Sequence, residues 1–165
     1  MKTPVCESDV RSGELCASCT KKVAEGSISK LDFEVAQILC KINERHNISN
    51  ATFYKALDLG RVILVLTKGE VGLLIGKQGI VVSELSSALG KKVRIAQTSG
   101  DVKKTVSDII MPARLLGINR TFHNGIEVST ARIAREDLMV LPLDGKTLEI
   151  ALKSLLGEET KIVFE

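Results

Sequence analysis

The feature that most restricts the fold is a pattern that occurs twice. From Gly79, apolar residues fall at Val82, Leu85 and Leu89, followed by Gly90 and a strand centred on Val93 and Ile95. From Gly145 they fall at Leu148, Ala151 and Leu155, followed by Gly157 and a strand centred on Ile162, with one extra residue before that strand. A helical apolar period closed by glycine and returning at once into a strand is one half of a small α/β unit. Two copies in 165 residues predict two tandem α/β modules rather than one domain. Short amphipathic segments are common, so the repeat has to be supported by what surrounds it.

The surroundings supply the missing elements. In "SISKLDFEVAQILCKINERHN", Ser29 is an N-cap, Asp32 lies in the first turn, and Leu31, Val35, Ile38, Leu39 and Ile42 form one stripe, predicting a helix to about His46. "GRVILVLTKG" predicts a buried strand. "EVGLLIG" reads as a short helix, "GIVVSELSSALG" as a second one closed by Gly90, and "KKVRIAQ" as a strand. Asp101 opens a further helix, "DVKKTVSDII", which must stop near Pro112. "HNG" between two alternating runs predicts a hairpin, and "LPLDGKTLEIALKSLLG" with "TKIVFE" a loop, a helix and a final strand. Residues 1–26 have no period of either kind. The fold class is therefore α/β (α+β), divided as a knuckle over 1–26, a helix over 27–48, and two modules over 49–113 and 114–165.

With 44% hydrophobic and 26% charged residues, the chain can bury a core. No apolar run is long enough for a membrane span, and "MKTPVCESDV" lacks the basic and apolar regions of a signal peptide, so a cytoplasmic, reducing setting is expected and no membrane partner. The net charge of +3 hides an uneven distribution: residues 1–60 balance, residues 61–135 carry +7, and residues 136–165 carry −4. A basic middle beside an acidic end is the footprint of a polyanion partner confined to one module.

The loop between the two short helices is Gly76-Lys77-Gln78-Gly79. It is not a Walker A loop, because Gly72 to Gly76 encloses three residues rather than four and Gln78 stands where a magnesium-binding hydroxyl belongs. It is not a dinucleotide fingerprint either, since Leu74 replaces the first glycine. "IGKQG" resembles the I-G-x-x-G loop of KH domains, where bare glycines let a single-stranded backbone approach and the following helix offers its N-terminus to phosphate. Lys77 adds a cation, and Ile75, Ile80 and Val81 are candidate walls of an apolar groove for bases. Lys91, Lys92 and Arg94 on the following strand form a candidate basic face.

The likeness extends over about residues 50–165. "DIIMPARLLGI", a hairpin and a second helix-glycine-strand unit resemble the junction of the tandem type II KH domains of bacterial NusA and its archaeal NusA-like relatives. That resemblance implies an α-β-β-α-α-β order in each module, cytoplasmic binding of single-stranded RNA, and a role in transcription elongation, termination or antitermination beside RNA polymerase. The second loop departs from the pattern: Pro142-Leu143-Asp144-Gly145 has proline at the first glycine and a carboxylate where phosphate would sit. The RNA-contact role is therefore carried onto Gly76, Lys77, Gln78 and Gly79 only, and the second module is expected to pack, space or bind protein.

"CESDVRSGELCASC" places Cys6 and Asp9 in C-x2-D and Cys16 and Cys19 in C-x2-C. Two such bites around a loop have the ligand spacing of a tetrahedral structural zinc knuckle with three thiolates and one carboxylate. Cys40, Glu7 and Glu14 compete with Asp9 for the fourth place, Cys40 also fitting a core position on its helix, and a Cys16–Cys19 redox pair is the other alternative. His46 and His123 are isolated, and no nucleophile, base and oxyanion donor converge, so no enzyme is expected. Four Phe, one Tyr and no Trp argue against aromatic stacking platforms. Two functions remain open: a transcription factor that binds single-stranded RNA, and an RNA-binding adaptor of a ribonuclease or ribosome-assembly complex whose knuckle holds protein.

Overall fold

Two short helices, α1 (Glu7–Ser12) and α2 (Ala17–Ala24), begin directly at Cys6 and Cys16, which serve as their N-caps. They are too short to show a period, which is why residues 1–26 read as irregular. They are not a free-standing appendage: Val5, Val10 and Cys19 are buried in one core with Val35, Ala36 and Leu39. Lys2 also bridges to the start of the first sheet, donating to the Ala51 carbonyl at 3.0 Å and accepting from Phe53 N–H at 2.8 Å.

The long helix α3 (Lys30–His46) starts as expected, at Ser29 in a capping box with Asp32. Asp32 does more than cap. Its Oδ2 accepts from Ser29 N–H at 2.9 Å, and its Oδ1 accepts from Ala56 N–H at 2.7 Å, in the strand β1 (Phe53–Asp58) that no sequence period announces. β1 pairs antiparallel with β2 (Val62–Thr67), and β2 pairs parallel with β3 (Lys92–Gln97), giving the sheet order β1-β2-β3. Between β2 and β3 lie α4 (Val71–Ile75) and α5 (Ile80–Leu89), the latter ending at Gly90 in the left-handed conformation. Ile63, Val65, Leu74, Val81, Leu85 and Val93 close the core against α3.

A second set follows: α6 (Val102–Ile110), β4 (Leu115–His123), β5 (Ile126–Ile133), a 3-10 turn over Arg135–Val140, α7 (Gly145–Leu156) and β6 (Glu159–Phe164). The hairpin turns at Asn124 and Gly125, with φ of 51° and 78°, the paired positive values of a type I′ turn. β4 and β5 are antiparallel, β5 and β6 parallel, again with the first strand of the hairpin at one edge and the last strand at the other.

The computed structural model describes all 165 residues, in two compact units, Met1–Gln97 and Thr98–Glu165. The chain divides in the Thr98-Ser99-Gly100 link, so α6, grouped above with residues 49–113, packs on β4 and opens the second unit. The two units share a helix-strand-strand-helix-helix-strand order, with the 3-10 turn standing in the second for α4.

Candidate nucleic-acid interface and metal cluster

The Gly76–Gly79 loop is built by backbone conformations that ordinary residues avoid. Gly76 has φ 78° and ψ 171°, and a Cβ there would lie 2.5 Å from Val81 Cγ2 and 2.9 Å from Val81 N. No side chain fits. Gly79 is left-handed at φ 77°, but the nearest atom to its notional Cβ is Val82 Cγ1 at 3.8 Å, so here the constraint is conformation alone. Gln78, also left-handed at φ 55°, and Lys77 are both exposed. No side chain caps α5; at its start the Gly79 N–H donates to the Gly76 carbonyl at 3.1 Å and the Ile80 N–H to the Lys77 carbonyl, both within the loop. Of the candidate wall residues, Ile80 is exposed and Ile75 half-buried, whereas Val81 belongs to the core.

Of the three basic residues near β3, Lys92 and Arg94 are two apart and share a strand face, and Lys91 stands outside the strand. Lys91 precedes the strand and its Nζ lies 3.0 and 2.8 Å from the two oxygens of Asp58, whose carboxyl it holds below the usual range. Lys92 is exposed. Arg94 is half-buried, and burial lowers its guanidinium from the ordinary value. His46, at the end of α3, places Nε2 2.7 Å from Glu84 Oε1 on α5, and Arg45 pairs with the other oxygen at 2.9 Å, so the helix that follows the loop is held at mid-length by charged groups. Nothing in the helical period of either segment announces that contact.

In the second unit the loop differs in more than sequence. Asp144 is the N-cap of α7, accepting from Thr147 N–H at 3.2 Å and from its hydroxyl at 2.5 Å. α7 therefore starts at Gly145 itself.

The donor atoms of Cys6, Asp9, Cys16 and Cys19 all lie within 4.8 Å of one another. The two x2 spacings have a common cause: each joins an N-cap to the third residue of a short helix, Cys6 to Asp9 on α1 and Cys16 to Cys19 on α2. Helix N-termini favour negative ligands. Sγ of Cys6 and Cys19 are 3.4 Å apart, and Asp9 Oδ2 accepts from Cys16 N–H at 3.0 Å. Without an ion, the bond to Asp9 pushes the Cys19 thiol up to about 12, and the same bond lowers the Asp9 carboxyl. For metal–sulfur bonds of about 2.3 Å, tetrahedral corners stand roughly 3.8 Å apart, so the four donors fit one ion after a small contraction. Cys40 is half-buried on α3 and outside the group. The geometry thus joins Asp9, rather than Cys40, Glu7 or Glu14, to the three thiols.

Residues 41–110 match the family model of the KH domain. The chain is 32% identical over 95 residues to the "Probable transcription termination protein NusA" of two strains of Halobacterium salinarum, the aligned part covering 57% of this chain and 68% of each relative. Among solved structures, the crystal structure of APE1850 matches with a TM-score of 0.60 at 24% identity, covering 78% of this chain and 98% of that one, a likeness of fold. No helix is long and apolar enough to cross a membrane. Alongside the two three-stranded units and the glycine loop between α4 and α5, these matches make the chain a member of the NusA-like family of KH-domain proteins.

Proposed function

We propose that the first unit binds single-stranded RNA at Gly76, Lys77, Gln78 and Gly79, and that the chain acts as a non-enzymatic factor in transcription elongation or termination, in the cytoplasm and beside RNA polymerase. The observation that carries the RNA reading is a helix start at α5 that no side chain occupies, behind a loop with two exposed polar side chains. A phosphate can approach the bare Gly79 and the helix N-terminus, which favours negative charge. Bases then lie against Ile75 and Ile80, and Lys92 is the cation of β3 open to the strand. The association with transcription rests on the likeness to the halobacterial proteins.

Changing Lys77 and Gln78 together to Asp places two negative charges beside those phosphates and removes no core contact. Binding of a short single-stranded RNA at moderate salt should be lost, while stability moves by less than about 0.5 kcal/mol, as for ordinary surface changes. Unchanged affinity at matched salt would reduce the loop to a helix link.

The cluster of Cys6, Asp9, Cys16 and Cys19 is proposed to hold a structural zinc ion, which would tie α1 to α2. Its chemistry there is cross-linking alone. A second reading of the whole chain, as an adaptor in a ribonuclease or ribosome-assembly complex, is favoured by one observation: Leu138, Met139 and Val140 are exposed in succession on the second unit, Met139 to 91%. Copurification with RNA polymerase rather than with a nuclease separates the two readings.

A further inference from the structure

The grooves of the two units differ at a side chain that no motif singles out. β6 is an edge strand, paired only with β5. Glu149, one turn into α7, reaches across to it, and its Oε1 accepts the backbone N–H of Ile162 at 3.0 Å. Glu149 also lines a cleft of about 460 Å³ between α7 and β6, with Lys146, Lys153 and Lys161 and with Glu159, which pairs with Lys153 at 3.9 Å. The matching positions in the first unit follow from the repeat. Ile95 faces Val65 in the parallel ladder as Ile162 faces Ala131, and Ser83 follows Val82 as Glu149 follows Leu148. Ser83 is exposed and carries no carboxylate.

Edge-strand N–H groups are the backbone donors such a groove can offer to the acceptor edge of a base, and a helix N-terminus is its donor for phosphate. In the second unit both are taken by the chain: the N-terminus by Asp144, the strand N–H by Glu149. A carboxylate presents the same planar acceptor oxygens and adds a negative charge facing any incoming polyanion. Of the three lysines of the cleft, Lys153 is paired with Glu159, leaving Lys146 and Lys161 as its cations.

We propose that Glu149 determines which unit takes single-stranded RNA, by filling from within the edge-strand position of the second groove that a base would fill. The proposal rests on RNA binding by the first unit, and its test reads the two units separately. In the full chain, Pro142→Gly and Asp144→Gln turn the second loop into Gly-Leu-Gln-Gly; this chain is made with Glu149 kept, with Glu149→Ser, and with Glu149→Gln, whose amide oxygen still accepts from Ile162. A short single-stranded RNA of mixed sequence is photocrosslinked to each, after thermal melts show that the fold persists.

With Glu149 kept or replaced by Gln, crosslinks should be absent from residues 142–165. With Glu149→Ser they should appear there. In a background carrying Lys77→Asp and Gln78→Asp, that variant should bind about tenfold more tightly than its Glu149 parent, one hydrogen-bonding position by affinity. Equal crosslinking of the second unit with and without Glu149, or none in any folded variant, overturns the proposal. Opening by Gln as full as by Ser would overturn it as well, by assigning the block to charge. Failure of the first-unit reading shows separately, as absence of crosslinks at residues 71–97 in the unmodified chain.

Discussion

Gly76 and Gly79 look interchangeable in the motif and are not. At Gly76 an added methyl collides with the Val81 backbone and side chain, and the backbone already has positive φ. At Gly79 only the left-handed conformation resists. Gly76→Ala should therefore cost about 3 kcal/mol, combining overpacking with backbone strain, and Gly79→Ala about 1 kcal/mol, both read by urea unfolding. Equal costs would mean that Val81 moves aside freely. The metal cluster gives a second contrast among single residues. Cys16→Ser and Asp9→Ala should each lower the zinc content of the purified protein, whereas Cys40→Ser should leave about one zinc per chain by elemental analysis. Retained metal in Asp9→Ala with loss in Cys40→Ser would move the fourth ligand onto α3. Both glycines and all four donors stand out in the sequence, because a G-x-x-G spacing and two x2 bites of Cys and Asp are particular residue types at particular intervals. Glu149 does not, since a glutamate on an exposed helix face has no distinguishing mark until β6 is placed beside it.

Between elements, carboxylates do the joining. Asp32 is almost wholly buried and satisfies two backbone donors, one on its own helix start and one in β1. Asp32→Ala would leave the Ser29 and Ala56 N–H groups without acceptors, at a cost of about 3 kcal/mol, with amide exchange rising first at Ala56. In the second unit, Asp137 accepts from the Arg114 backbone at 2.9 Å and from its guanidinium at 2.8 Å, and Glu136 takes the same guanidinium at 2.8 Å. The guanidinium holds the Asp137 carboxyl below its ordinary value of 3.8. A depressed carboxyl contributes stability above that ordinary value and loses it as pH falls through the folded one. Asp137→Asn should accordingly flatten the acid limb of the stability profile below about pH 4 and leave its shape at neutral pH unchanged. The helices and hairpin were legible from caps, periods and the Asn-Gly turn. β1 was not, because "FYKALD" alternates weakly, its ladder with β2 shifts register between Phe53 and Lys55, and it is held by Asp32 as well as by that ladder. α1 and α2 were not, because six and eight residues are too few for a period to show.

Across the whole chain, the repeat announces two units, and the structure confirms two three-stranded sheets of the same order. Its boundary was harder to read, since Pro112 marks the end of α6 more loudly than Thr98-Ser99-Gly100 marks the beginning. The knuckle shares the first unit's core through Val5, Val10 and Cys19. Chelation should therefore raise amide exchange along α1, α2 and the facing side of α3, and leave β4, β5 and β6 as they were. Uniform protection in both states would leave the ion without a structural role. One small contact reaches as far as solution behaviour. Because Lys91 is already paired with both oxygens of Asp58, it does not replace a counterion condensed on an RNA phosphate. The salt dependence of RNA binding should then lose about 0.7 from its log–log slope in Lys92→Ala, the share of one phosphate on a single strand, and nothing in Lys91→Ala. A flattening by Lys91→Ala would show that the strand opens the Lys91–Asp58 bond as it binds, so the slope counts ion pairs broken inside the protein as well as ions released from the RNA.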